Sequence, residues 1–247
     1  MTALILALIA GAVVGLALGG LGGGGSMLAV PALVYLLGFT PATATTASLV
    51  IVGATSLTGL LAHARAGRVR WRTGALFAAA GLPAAAAAGA LSVHLPGALL
   101  TGAFAVLAAL AAWRMLAPSA PKERGAARTG RASAAGAGLG AVTGLLGVGG
   151  GFLAVPALVS VLAFTMAEAV GTSLLVISAN SFAALLPRLG ATGAIDWAVA
   201  APFTGAAILG AWDGKRLADR LKGRTLQRAF AVALLGVAAL MLGTTLL

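Results

Sequence analysis

The chain is written twice. The run LAVPALV stands at Leu28–Val34 and again at Leu153–Val159, 125 positions on. At the same offset Gly22 meets Gly147, Gly24 meets Gly149, Gly25 meets Gly150, Phe39-Thr40 meets Phe164-Thr165, and Ser48 meets Ser173. Further along the offset becomes 126: Gly67 meets Gly193, Trp71 meets Trp197, Gly97 meets Gly223, and AFAV at Ala103 meets AFAV at Ala229. Self-similarity at a fixed period along the whole chain is a tandem duplication. Whatever one half folds into, the other must fold into as well. The halves are residues 1–117 and 132–247, joined by a linker at 118–131 rich in Pro, Ser, Gly and charge.

The repeated unit is too apolar for water. Of the 247 residues 60% are hydrophobic and only 9% charged, where a soluble domain carries about 25% charged. Each half holds five apolar segments. They run Thr2–Leu18, Met27–Phe39, Ala42–Ala62, Thr73–Val93 and Gly97–Leu116, then Ala132–Leu146, Phe152–Phe164, Ala167–Leu186, Ala194–Trp212 and Arg228–Leu247. The second of each set has about 13 residues, about 20 Å as a helix, short of the roughly 30 Å hydrocarbon core. It reads as a half-helix that stops at a glycine-rich break. The expected fold is an all-α polytopic membrane protein, an inverted repeat of two five-segment halves with broken, re-entrant helices. Thr2–Leu18 lacks the basic region that opens a secretory signal, and its copy at Ala134–Leu146 marks it as part of the architecture.

The basic residues orient the halves. Arg68, Arg70 and Arg72 align with Ala194, Asp196 and Ala198, whereas His94, Pro96 and Ala98 align with Arg220, Lys222 and Arg224. One connector is basic in the first copy and bare in the second, and the next connector reverses this. Short basic loops stay in the cytoplasm, so an odd number of crossings per half, with the second half upside down, accounts for the swap. The connectors 63–72, 114–131 and 213–228 then share the cytoplasmic side and hold 15 of the 16 Lys and Arg, leaving Arg188 outside. Trp71, Trp113, Trp197 and Trp212 fall at segment ends, the headgroup level an amphipathic ring prefers. The net charge of +11 is thus a property of loops and not of a nucleic-acid-binding face. The partners implied are the lipid bilayer and no nucleic acid, and the pattern assigns no oligomeric state.

The densest local feature is GGLGGGGS at Gly19–Ser26, paired with GLLGVGGG at Gly144–Gly151. Glycine costs a helix about 1 kcal/mol against alanine, and backbone freed inside a bilayer is tolerated only when buried in protein or lining a wet cavity. Half-helices beginning near Met27 and Phe152 would aim free N–H groups and the positive dipole end at the breaks. Symmetry would bring the two ends together near the midplane, where transporters with inverted repeats hold their substrates. Two readings of Gly22, Gly24, Gly25 with Ser26 and of Gly147, Gly149, Gly150, Gly151 stand side by side: contact with a small anion, or close helix packing. Gly11 and Gly136 are read as packing alone. Thr46, Ser48, Thr172, Ser173 and Asn180 offer hydroxyl or amide groups to an oxyanion, or bonds to their own helices. Thr165 to Glu168 spells a capping box; a proton-coupling role for Glu168 is the rival reading. With no cysteine and no His spaced against another ligand, no catalytic, metal or cofactor site emerges, and GxGxxG at Gly20 lacks the strand and acid of a nucleotide fold. An enzyme is not expected.

The duplicated motif GGGGSMLAVPAL and GVGGGFLAVPAL, each followed by a hydroxyl-rich helix with ASL or TSL, resembles the sulfite exporter TauE/SafE family of membrane transporters over essentially the whole chain. The resemblance implies a bacterial-type inner-membrane permease for a small anion, such as sulfite, a sulfonate or a related sulfur-containing organic acid. Its motif positions here are Gly22, Gly24, Gly25, Gly147, Gly149, Gly150 and Gly151, with Pro31 and Pro156. Val148 stands where the first copy has Gly23, and Gly171-Thr172-Ser173 where it has Thr46-Ala47-Ser48. The expected function is secondary transport by alternating access at the repeat interface, with an accessory membrane subunit as the alternative.

Overall fold

The computed structural model describes residues 2–92, 97–116, 129–146, 153–186, 195–221 and 223–246. Among these every regular element is helical. In chain order they are α1 (Thr2–Leu21), α2 (Gly24–Pro31), α3 (Pro41–Arg65), α4 (Trp71–Ser92), α5 (Gly97–Leu116), α6 (Thr129–Leu146), α7 (Ala154–Ser160), α8 (Met166–Leu185), α9 (Trp197–Arg220) and α10 (Gly223–Leu246). The expected linker falls outside the described residues except for Thr129–Arg131, which open α6. α1, α3 over Thr43–Arg65, and α8 are each long and apolar enough to cross a bilayer. α9 runs two turns past the expected end at Trp212. Its extension is charged but helix-competent, with Arg216 bound to Asp213 and Lys215 to Asp219 along one surface.

Local chemistry sets the boundaries alike in both copies. Thr40 caps α3 through its hydroxyl, with Pro41 in the first turn. Thr165 caps α8 in the full reciprocal box with Glu168. Just before each cap the chain turns through one left-handed residue, Gly38 at φ +71° and Ala163 at φ +56°. The same backbone bond closes each turn, Phe39 N–H to the Leu33 carbonyl at 3.0 Å and Phe164 N–H to the Leu158 carbonyl at 3.1 Å. After Pro31, which has no N–H to give, α2 widens into a π turn over Ala32–Leu36.

Helix pairing follows side-chain size. On α1 the bulky residues Leu4, Ile5, Leu8, Ile9 and Val13 are exposed, and Ala7, Gly11, Val14, Gly15 and Gly19 are buried. Large groups face out and small ones in, as expected where lipid is the solvent and backbones must approach closely. A methyl group at Gly11, Gly15 or Gly19 would overlap the carbonyl of Phe203, Ala207 or Ala211 on α9. On the second copy a methyl at Gly136 or Gly140 would overlap the carbonyl of Phe77 or Gly81 on α4. These are equivalent pairs: Gly136 and Gly140 lie 125 positions beyond Gly11 and Gly15, and Phe203 and Ala207 lie 126 beyond Phe77 and Gly81. The packing reading of Gly11 and Gly136 holds.

The helices α3 and α8 occupy equivalent places in the two halves and pack on each other. Gly53 lies against Ser181 and Phe182, Gly59 against Leu174, and Gly171 against His63. Rising numbers on α3 meet falling numbers on α8, so the two run antiparallel. One buried core joins α1, α2 and α3 with α8 and α9. The other joins α4 and α5 with α6, α7, α8 and α10. Each core mixes residues of both halves.

Candidate functional site

The first glycine cluster is a fracture of two residues and not a long loop. α1 stays helical through Gly19, Gly20 and Leu21, and only Gly22 and Gly23 separate it from α2. Gly22 makes the turn at φ +68°, and its N–H closes α1 on the Leu18 carbonyl at 2.8 Å. Gly24 and Gly25 form the first turn of α2. Gly25 rests against the backbone of Leu18 with no room for a methyl, so α2 folds back tightly along α1. The Ser26 hydroxyl donates to the Gly23 carbonyl at 2.7 Å, and the Gly25 N–H to the Gly22 carbonyl at 3.3 Å. Gly147, Gly149, Gly150 and Gly151 lie outside the described residues.

Gly22 sits on the opposite half. A methyl there would come within 2.5 Å of the Ser173 hydroxyl and 3.2 Å of the Val155 side chain, on α8 and α7. Of the sequence candidates, Gly22 and Ser173 are thus brought together. The register of α3 on α8 places Thr55 and Asn180, equivalent residues 125 apart, beside the Gly53–Ser181 contact. Ser173 is seven residues from Asn180, about 10 Å along the helix. The fracture therefore lies against the half of α8 nearer the basic connectors. The cause is the helix pairing: Gly19 and Gly20 are held in α1 by close approach to Ala211 and Gly214 of α9, which delays the break to Gly22.

The hydroxyl candidates are engaged. Ser48 donates to the Thr45 carbonyl and Ser173 to the Val170 carbonyl, each at 2.8 Å. Thr172 accepts the Arg70 backbone N–H at 3.1 Å, which ties the connector after α3 onto α8. Thr46 is buried on α3. Asn180 differs, because its buried amide oxygen has no partner among the described residues. Gly171, which departs from the first copy's Thr46, has a structural reason: a side chain there would run into the Arg68 carbonyl and His63.

The basic connectors converge at one end of the bundle. Arg68 pairs with Asp219, which also takes Lys215 at 2.9 Å. The Gln227 amide donates to the Met115 carbonyl at 2.5 Å. The first connector is thereby joined to the third, and the second to the third. Burial pushes the Asp219 carboxyl up, but hydrogen bonds from Lys215 and Arg68 outweigh it and hold the group below its ordinary value. Arg70 Nε donates to Glu168 at 3.0 Å, while the other oxygen of Glu168 accepts the Thr165 N–H at 3.1 Å. Glu168 is employed as a cap and a counter-ion.

One buried group was not singled out by the sequence. His63 is 1% exposed, and its Nε2 lies 3.1 Å from the Gly19 carbonyl. Its signal was present: His63 continues the inward stripe of α3 through Val52, Ser56 and Leu60, all buried, at helical spacing. Proximity to the arginines made it look like a loop residue.

Antiparallel apolar helices with small residues at their contacts, a fractured first helix and charge gathered at one end define a polytopic all-α membrane protein. The chain belongs to the sulfite exporter TauE/SafE family, whose model matches residues 7–241. It is similar to a "Probable membrane transporter protein" of Xylella fastidiosa strain 9a5c, 36% identical over 244 residues that cover 95% of this chain and 93% of the relative. A protein of the same description from strain Temecula1 is 35% identical over 244 residues, with the same coverage. No solved structure matches.

Proposed function

We propose that the protein is a secondary transporter that moves a small oxyanion, such as sulfite, a sulfonate or a related sulfur-containing organic acid, across the inner membrane by alternating access. The observation that carries this reading is the fracture at Gly22, seated on α7 and α8 of the other half. A broken helix held by the opposite repeat is the device by which inverted-repeat carriers expose backbone N–H groups to a solute. Family membership and the names of the relatives point the same way. The antiparallel run of α3 on α8 supports an inverted repeat of 1–117 and 132–247. The gathering of the connectors at Asp219 and Gln227 supports a common cytoplasmic side for 63–72, 114–131 and 213–228.

In this reading the anion is held by amides around Gly22–Ser26 and, from the other copy, Gly147–Gly151, with the amide of Asn180 toward the centre. The hydroxyl of Ser173, beside Gly22, shapes the site while its hydrogen stays on its own helix. The test is flux of radiolabelled sulfite and organic sulfonates in proteoliposomes. Saturable, anion-selective uptake is expected; its absence for every small acid tried rejects the reading. Gly22→Ala meets both the left-handed backbone, a strain of about 1–2 kcal/mol, and the Ser173 hydroxyl, and should cut flux at least about tenfold while folded protein is still recovered.

A further inference from the structure

We propose that His63 is a proton-binding site that couples protonation to movement of the α1–α2 fracture. In a continuous helix the Gly19 carbonyl would accept the N–H of Gly23, four residues on. The turn at Gly22 removes that donor, and the His63 ring replaces it at 3.1 Å. A carbonyl only accepts, so Nε2 carries the hydrogen and Nδ1 is left as a lone-pair acceptor. That nitrogen is buried and has no partner among the described residues. A buried, unsatisfied polar atom in a side chain that already caps a helix end is costly to keep, and Nδ1 is the ring atom left open to take a proton.

The surroundings decide what protonation does. His63 packs against α1 through Gly19, against α8 through Gly171, and beneath the connector at Arg68. The charged groups that face it are Arg68 from the connector and Lys215 and Asp219 from α9. Glu168, on the nearby turn of α8, is occupied by Arg70, and α1 carries no charged residue. Asp219, the one acid of the set, is already shared between Arg68 and Lys215. A proton on Nδ1 therefore creates an imidazolium with a second N–H, no acceptor for it and no free counter-ion. The closed packing disfavours that state, so protonation loosens the hold of His63 on Gly19 and frees the fracture. An anion entering the fracture supplies the missing negative charge, and proton and anion would then bind together. The coupling role rests on the transport reading above; the proton site itself does not.

The native chain has no cysteine, so a single S26C substitution reports opening of the fracture by its rate of maleimide labelling in membrane vesicles, each rate taken relative to that of the detergent-denatured protein at the same pH, because the reactive thiolate falls about 200-fold between pH 8 and pH 5.5. With His63 in place, labelling should be roughly tenfold faster at pH 5.5 than at pH 8, the range in which histidine changes charge. His63→Gln keeps an N–H for Gly19 but cannot titrate, and its rate should stay level within about twofold. His63→Ala, with neither cap nor proton site, should label fast at both pH values. A flat profile with His63 present, or a rise that survives in H63Q, overturns the proposal. A second arm measures sulfite uptake into proteoliposomes with and without an inward acid gradient. Stimulation by the gradient in the native protein and its loss in H63Q support coupling, and equal stimulation in both overturns it. If the native protein carries no anion at all, the transport reading falls, and the labelling arm still decides whether His63 binds the proton.

Discussion

At the scale of single residues the two copies act as each other's control. Gly38 and Ala163 hold the same left-handed turn, with equivalent backbone bonds on either side. An L side chain in that region costs about 1–2 kcal/mol, partly offset by the entropy an unfolded glycine gains, about 0.4–1 kcal/mol. Ala163→Gly should stabilise the protein by roughly 0.5–1 kcal/mol and Gly38→Ala destabilise it by a similar amount, since no atom lies near the added methyl at Gly38. Thermal unfolding in detergent checks both; equal and opposite shifts are expected. The cap at Thr165 was legible beforehand, because capping is chemistry among neighbours in sequence. The engagement of Ser48 and Ser173 with their own helices was one of two open readings, and no local pattern decides between them. His63 was missed because its burial depends on α1 and α8, elements far away along the chain.

At the scale of elements, glycines divide by what faces them. Gly15 touches the backbone of Ala207, whereas Gly205, on α9 itself, has open space beside it. Gly15→Val should therefore sit at or above the upper end of the roughly 1–3 kcal/mol usual for overpacking, since backbone, not a movable side chain, blocks it. Gly205→Ala should be neutral or mildly stabilising, by up to about 1 kcal/mol. Yield of monodisperse protein and its melting temperature distinguish the two. The long apolar segments could be read from the sequence because a helix that crosses lipid must be long and continuous, and the short ones by their repeated LAVPALV run. The extent of the break could not. GGLGGGGS suggests an unwound stretch by propensity, but the close approach to α9 keeps Gly19 and Gly20 helical, and tertiary packing overrides propensity here as it does elsewhere.

At the scale of the whole molecule, duplication in sequence does not yield two separate bodies. Both buried cores draw on both halves, so neither half alone can cover its apolar interior. Residues 1–117 and 132–247 expressed separately should give aggregated or degraded protein, and co-expression should recover a complex that runs as the intact chain on size exclusion. Independent folding of either half would contradict the interleaved cores. The pairing of α1 with α9 has a further consequence for how the protein is made. Gly11 finds its seat at Phe203, about 190 residues later, which at ribosomal speeds of about 5–20 residues per second is a wait of roughly 10–40 s. During that interval the first helix stands in the membrane with a glycine-lined groove unfilled, open to mispairing with any small-faced helix nearby. Biogenesis of this protein should therefore depend on a chaperoning insertase or on lipids that shelter the groove until the ninth helix arrives.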